Sequence, residues 1–572
     1  MAEYLSPGVY VEEFESGMRA MEGVSTSTAG FVGATEKGPV TGTPVFLTSF
    51  ADYARTFGGY LSESTHGPNR FLPYAVEQFF LNGGARCYVM RVAPTDAKAA
   101  SAVMSSVVVS AKSPGKWGNN IKVTVNQASK AKTQVVDVTE DIATSTKMYT
   151  LKNASAFTAG DVVALVEKGN VTTHNRIVKI QDNTVTFEND FEGDIVDKNL
   201  IPKKYLASCE INFEISCGGD FEAYENVSFN PESTDFIENV LGKSGMVAIQ
   251  YTQIKEIFPP MLAMSGDAAS VTATFTLSGG SDGNAKVMDE GMYIGGGDGP
   301  GRRTGLEAFK EIGNVSIMAI PGVTAPAVQL ALVAHCQNLA SRFAVLDVPG
   351  DLNKPQDVLA HREIVDSDYA AMYHPWLQVY DPLAKKPVFL PPSGSVCGIY
   401  ARSDTTRGVH KAPANEVVNG CTGLSVFYNG GEQDMLNPAG VNLIRAIPGQ
   451  GIRVWGARTC SSNSLWKYIN VRRLFIFLEE TIKAQTSWAV FEPNDEVLWV
   501  RVRQTITSFL RDMFRGGALM GASESEAFFV NIGYDTMTQQ DIQNGRLICE
   551  IGVAPSRPAE FVIFRITQFM KE

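Results

Sequence analysis

Hydrophobic residues along this chain change their spacing several times, and each change marks a different kind of structure. Between residues 29 and 93, short apolar runs alternate with amphipathic stretches. Gly30-Phe-Val-Gly-Ala34 predicts a buried strand, 49–57 a short helix with Asp52 in its first turn, 73–81 a second helix ended by Gly83-Gly84, and 87–92 another strand. That alternation suggests an α/β layer. From 110 to 229 a period of two dominates: 121–125, 135–138, 161–166, 176–180, 184–187 and 209–216 read as short strands. Turns such as Gly118-Asn119-Asn120 and Gln181-Asp182-Asn183 separate them. The stretch reads as an all-β insertion, with a further module nested from about 135 to 202. At Pro231 the α/β pattern returns: helix 234–241, strand 246–251, a glycine-rich run 279–301, strand 315–320, helix 325–340, strand 343–348, helix 355–365 and strand 372–379. Strand, helix, strand at this spacing requires a parallel sheet with right-handed crossovers.

Residues 470–572 read as helix, helix, then strands up to the C-terminus. The first helix places Val471, Leu474, Phe475, Leu478 and Ile482 on one buried stripe and sets Glu479 four residues before Lys483. Pro493 breaks it, and Asn494 or Asp495 caps the next. The second helix buries Leu498, Val502, Ile506, Phe509, Leu510 and Met513, and its other face carries Arg501, Gln504, Ser508, Arg511 and Arg515. Gly516-Gly517 ends it. Strands are expected at 527–534, 546–553 and 560–567, with a Pro555/Pro558 break before the last. The other end mirrors this: Val9-Tyr10-Val11-Glu12-Glu13-Phe14 predicts a short strand, and 15–30 has the small, polar composition of a tether. Each terminal strand can fold back on its own sheet or complete a neighbour's.

The chain has 572 residues, enough for several domains, and its 44% hydrophobic and 19% charged content is ordinary for a globular protein. No apolar run is long enough to span a membrane, and the first residues lack the basic and apolar regions of a signal peptide. Eight scattered cysteines without a Cys-x-x-Cys predict reduced, mostly buried thiols. A net charge of −12 argues against nucleic acid as partner. From 442 to 515, however, eleven Lys/Arg stand against six Asp/Glu, either a solvated basic face or a docking surface for an acidic partner.

Catalytic patterns fail on inspection. Gly279-Gly280-Ser281-Asp282-Gly283 fits a nucleophile elbow, but the following stretch is glycine-rich loop where a helix is needed, so it reads as a mobile turn. Gly242-Lys243-Ser244 ends like a phosphate loop, yet Ile237 stands where its first glycine belongs. In Gly295-Gly296-Gly297-Asp298-Gly299 the dinucleotide pattern meets Pro300 at its third glycine. The six histidines show no metal spacing, His335 sits in an apolar helix, and Asp347, ending a buried strand, has no evident His and Ser to join. No cofactor, metal or catalytic set is expected, and the protein reads as a non-enzyme.

Many stretches resemble one family, the contractile tail sheath proteins of phages and related injection machines. They are 6–13 (SPGVYVEE), 117–120 (WGNN), 367–376 (SDYAAMYHPW), 391–394 (PPSG), 398–404 (GIYARSD), 408–415 (GVHKAPAN), 436–442 (LNPAGVN), 454–459 (VWGART), 468–474 (YINVRRL), 491–494 (FEPN) and 558–561 (PAEF). The resemblance implies a multi-domain α/β + β subunit with a subtilisin-like α/β core, an all-β insertion, and an α+β C-terminal domain with strand-forming arms. The expected division is 1–30 arm and linker, 31–95 and 231–400 core, 96–230 insertion, 401–554 C-terminal domain and 555–572 arm. It further implies a helical homo-polymer around an inner tube protein, meeting baseplate and terminator proteins. Such a polymer is assembled in the cytoplasm, and its contraction drives the tube through a cell envelope. The arm strands would be Val9, Tyr10, Val11 and Phe14, and Phe561, Ile563, Phe564 and Ile566. They would be received by a neighbour's Phe529, Val530, Ile532, Leu547, Ile548 and Ile551, with Arg501, Arg511 and Arg515 on the tube-attachment helix. The tether 15–30 and the Pro555–Pro558 break would act as hinges. The rivals are an α/β hydrolase and a static surface-array protein.

Overall fold

The computed structural model describes residues 22–104, 107–140, 147–167, 170–189, 204–251, 272–297 and 299–563. Its centre is a nine-stranded sheet in the order Val45–Leu47, Cys87–Val92, Ala29–Ala34, Ile317–Ala319, Phe343–Asp347, Ala370–His374, Val441–Ile447, Gly451–Val454, Glu416–Val417. The six strands from Cys87–Val92 to Val441–Ile447 run parallel, with antiparallel strands on both edges. These strands read as continuous apolar runs because both faces are covered. Ala29, Phe31, Ile317, Phe343 and Val345 meet the helices Phe50–Phe57, Leu72–Leu81 and Ser393–Arg407, while Val32, Met318, Ala344 and Leu346 meet Pro326–Leu339 and Pro355–Arg362. On the first face two helices approach closely: a Cβ on Gly394 would lie 2.5 Å from the Cα of Ala75, and one on Gly398 2.4 Å from the carbonyl oxygen of Phe79. Only glycine fits there.

Three sequence expectations differ from this topology. The expected strand 372–379 is two strands, Ala370–His374 and Leu377–Asp381, because Pro375 cannot donate to the ladder and the chain turns into a second small sheet. The pattern resuming at Pro231 does not rejoin the parallel sheet. Val247–Tyr251 pairs antiparallel with Val107–Ala111, and Thr272–Thr276 with Lys122–Ala128, so both lie in the β-rich insertion. The chain leaves and re-enters the core at one doorway, where Lys98 and Ser281 exchange two backbone hydrogen bonds of 2.9 Å. Residues 441–454, expected in the C-terminal domain, are strands of the central sheet.

Within the insertion the nested module is a closed six-stranded barrel, from Lys132–Glu140 to Lys204–Ser208, around Val135, Tyr149, Leu151, Leu165, Ile177, Val185 and Leu206. Its two ends meet: the Ser208 amide donates to the Ala131 carbonyl at 2.8 Å, and the Ala131 amide donates to Ser208 Oγ at 2.8 Å.

The last unit holds two long helices, Ile469–Gln485 and Glu496–Arg515, two short ones, Glu524–Ala527 and Gln539–Gln543, and a two-stranded antiparallel sheet, Phe528–Ile532 with Cys549–Val553. Asp495 caps the second helix, accepting from the Leu498 amide at 2.9 Å. Gly517, with φ of 77°, supplies the left-handed turn after it.

Candidate functional site: where the two chain ends meet

The helix Ile469–Gln485 is buried on several sides along its first half, polar residues included, and its buried Asn470, Arg472 and Arg473 each tie it to another part of the chain. Arg473 is 4% exposed and grips Asp404 with both arms of its guanidinium, Nη1 to Oδ1 at 2.9 Å and Nη2 to Oδ2 at 2.6 Å. Burial works against that guanidinium, but Asp404 more than offsets it, so its pKa rises. Arg472 bonds Asp368, Nε to Oδ2 at 2.7 Å, and stacks over the rings of Trp466 and Tyr369. Asn470 Nδ2 donates to the His410 carbonyl at 2.8 Å and the Ser556 carbonyl at 3.1 Å. The expected apolar stripe is present, with Val471, Leu474 and Leu478 buried and Phe475 and Ile482 half-buried. The period alone could not show that the opposite side is buried too. Lys483 pairs with Glu480 at 3.4 Å, one residue nearer than the expected Glu479.

The chain's entry runs antiparallel along this helix. Gln485 Nε2 donates to the Glu22 carbonyl at 3.2 Å, the Val24 amide to Thr481 Oγ1 at 3.3 Å, and Arg473 Nη2 to the Thr26 carbonyl at 2.9 Å. A Cβ on Gly23 would lie 2.7 Å from the Phe477 ring, so the segment lies flat against the helix. The second half of the expected tether 15–30 is therefore fastened. Val9, Tyr10, Val11 and Phe14 lie outside the described residues.

The chain's exit is fastened to the same place. The Ser556 amide donates to the Ala518 carbonyl at 3.0 Å. Glu560 Oε1 accepts from Arg458 Nε at 2.7 Å and Asn437 Nδ2 at 2.9 Å, and Oε2 from Arg458 Nη2 and the Tyr468 hydroxyl, both at 2.9 Å. Burial pushes this carboxyl up, but those bonds prevail and hold its pKa down at about 2. The expected Pro555–Pro558 hinge is thus pinned on both sides. Beyond it, residues 560–563 form no strand, and Phe561, Val562 and Ile563 are 71, 68 and 79% exposed. Phe564 and Ile566 lie outside the described residues.

In the two-stranded sheet, Phe529, Val530, Ile532 and Ile551 take their expected strand places. Leu547 and Ile548 fall before the second strand, which begins at Cys549, and Thr536 Oγ1 takes the Ile548 carbonyl at 2.9 Å. Among the described residues neither strand has a second neighbour, so the sheet has two open edges, and the helix Glu496–Arg515 packs against it.

On that helix Arg501, Arg511 and Arg515 do share a face, but their surroundings differ. Arg511 is paired with Glu524 at 2.9 Å, Arg501 lies 4.7 Å over the Trp488 ring, and Arg515 is exposed. Val497 and Val500 sit on the same exposed face, a signal that a search for charge passes over. The cationic excess of 442–515 is largely structural: Arg458, Lys467, Arg472, Arg473, Lys483 and Arg511, six of the eleven, pair with carboxylates of the same chain.

Candidate catalytic groups face inward. Asp347 accepts from Ser393 Oγ at 2.7 Å, the Ser393 amide at 2.9 Å and the Gly322 amide at 3.0 Å, thereby capping the helix Ser393–Arg407. Burial, partly countered by these bonds, lifts its pKa to about 6. His335 meets buried Arg342 at 3.2 Å, and burial followed by that charge lowers its pKa to about 3. The expected mobile turn at Gly279–Gly283 is fastened: Ser281 bonds Lys98 through the backbone, and Asp282 Oδ1 accepts from the Lys116 amide at 2.8 Å. All eight cysteines are free, five of them buried. Among the described residues no cluster of His, Cys, Asp and Glu is placed to hold a metal, and no helix is long and apolar enough to cross a membrane.

Among the described residues, a sheet with open edges thus lies beside a buried hub that fastens residues 22–26 and 556–560. The family model of the phage tail sheath protein central domain matches residues 295–460, and that of the phage tail sheath C-terminal domain matches 461–569. The chain belongs to the contractile tail sheath family. It is 28% identical over 287 residues to a Pseudomonas aeruginosa (strain UCBPP-PA14) protein described as a prophage major tail sheath protein, covering 48% of this chain and 71% of that one. With the tail sheath protein of Escherichia phage P2 it shares 27% identity over 283 residues, covering 48% and 69%. Its mixed α/β fold matches the contracted helical sheath of the anti-feeding prophage with a TM-score of 0.52 and 22% identity, over 98% of this chain and 99% of that one. The chain is a contractile-sheath subunit, a component of a phage tail or injection-system particle.

Proposed function

We propose that this subunit polymerises helically around an inner tube, through strands exchanged between copies. Residues 9–14 and 561–567 of one copy add to the open edges of the sheet Phe528–Ile532/Cys549–Val553 of others. The observation that supports this most is that, among the described residues, both edges of that sheet are unfilled while residues 561–563 stand exposed and outside any strand. Each added strand contributes several backbone hydrogen bonds at about 0.5–1.5 kcal/mol net apiece. One arm is modest, whereas a lattice of them is strong. Strand addition depends on main-chain geometry, so it survives rotation of the subunit bodies during contraction. Glu22 and Glu560 are themselves held, so they are not the hinges of this proposal.

The proposed division of labour follows: a subtilisin-like core whose Asp347 and His335 are buried, an insertion, and a C-terminal domain bearing the arms. The exposed face with Arg501, Arg511 and Arg515 grips the tube by weak, salt-screened contacts that release on firing. The tube, baseplate and terminator proteins are its partners, met during assembly in the cytoplasm. Removing residues 1–16 tests the arm reading: the expected product is a folded monomer, and intact rods in electron micrographs would refute it.

A further inference from the structure

Four separated stretches of the sequence converge on one carboxylate. Asn437 comes from 436–442, Arg458 from 454–459, Tyr468 from 468–474, and Glu560 from 558–561. Their four hydrogen bonds of 2.7–2.9 Å occupy the acceptor capacity of Glu560, and Lys467 Nζ stands 3.6 Å away. The clamp itself is anchored in the central sheet, since the Arg458 amide donates to Asn442 Oδ1 at 2.7 Å and Asn442 Nδ2 to the Arg458 carbonyl at 2.7 Å. One residue later the chain is open to solvent: Phe561 is 71% exposed. Among the described residues the last tie of the chain therefore falls at a single side chain.

We propose that Glu560 is the positioning residue of the C-terminal arm, fixing where and in which direction residues 561–572 leave the subunit toward a second copy of this chain. This rests on the strand-exchange reading above. Without the clamp the nearest anchor among the described residues is Ser556, so the stretch of sequence beyond the last described anchor lengthens from 12 residues (572 − 560) to 16 (572 − 556). Tether length alone then dilutes the arm only about 1.5-fold. Direction is what the clamp supplies, because an arm leaving along one line meets a neighbour's sheet edge already oriented.

The test compares the full chain, Glu560→Gln and a chain ending at Ile563. Each is scored for monomer melting and for the monomer concentration above which polymer pellets. Glutamine keeps the shape and loses the charge; Tyr468→Phe, which removes one donor, is the milder variant should glutamine misfold. The expected result is unchanged monomer melting with the polymerisation threshold raised about tenfold, the equivalent of one charge-assisted hydrogen bond per arm. A wild-type threshold for Glu560→Gln overturns the assignment while leaving strand exchange intact, and so does a matching loss of monomer stability, since Glu560 would then serve only the body. A wild-type threshold for the shortened chain overturns the strand-exchange reading itself.

Discussion

Asp404 is the sharpest point at which to perturb the hub. Its side chain is 4% exposed and that of Arg473 3% exposed, so Asp404→Ala leaves a guanidinium in the interior with only the Thr26 carbonyl and the Tyr400 ring, 4.6 Å away, as company. Breaking a buried pair by removing one partner costs about 3–5 kcal/mol, because the remaining charge is neither solvated nor neutralised. Cutting the Lys483–Glu480 pair, where Lys483 is 75% exposed, should cost about 0.2–0.5 kcal/mol. Against a domain stability of about 5–15 kcal/mol the first loss is large and the second trivial. A chain of several packed units need not unfold in one step, so calorimetry, which separates the transitions, is the assay. At about 2–4 °C per kcal/mol, Asp404→Ala should lower the transition containing this helix by about 6–20 °C. The double variant Asp404→Leu/Arg473→Met should recover most of that, since apolar groups of similar volume replace buried pairs at little cost. A melting point for Asp404→Ala within 2 °C of wild type would show that the guanidinium reaches water and that the hub is not closed.

Arg515→Glu leaves the Arg511–Glu524 pair untouched and reverses the exposed charge of the proposed tube face; the expected particles are sheath polymers empty of tube, and tube-filled particles would discard that assignment. Asp347, lifted from 3.8 to about 6, binds its proton more tightly when folded, so its contribution to stability is complete below pH 4 and is lost as pH rises through 6. That loss amounts to up to about 3 kcal/mol. Asp347→Asn should flatten the melting-versus-pH curve between pH 4 and 7, and a curve parallel to wild type would contradict the assignment. Removing 132–207 and joining Ala131 to Ser208 should leave the strands Lys122–Ala128 and Glu210–Cys217 paired and the chain soluble, with some loss from Val162 and Ala164, which pack into the insertion core. Inclusion bodies from this shortened chain would show that the barrel is not a separate unit.

The periodic elements were legible because their signals are local. The strand Cys87–Val92 and the helices Pro326–Leu339 and Glu496–Arg515 follow from runs and spacings contained within each element. Strand pairing was not, since nothing in Val247–Tyr251 distinguishes an antiparallel partner in the insertion from a parallel one in the core. The shared face of Arg501, Arg511 and Arg515 was legible from spacing, though not that Arg511 is paired with Glu524. The ties that fasten residues 22–26 and 556–560 were hidden for another reason. Arg473 and Asp404 lie 69 residues apart, Arg458 and Glu560 102, and a charged residue in a helix looks alike whether it meets water or a carboxylate. The excess of cations in 442–515 was the visible trace of these ties, and it read as surface because composition carries no information about burial.

Guanidinium–carboxylate pairs occur here in two solvents. Dissolved ions crowd around those in contact with water and weaken them, whereas Arg473 with Asp404 is out of their reach. Concentrated brine should therefore loosen the proposed charged grip on a tube, while the joint that keeps each body in one piece does not register the change.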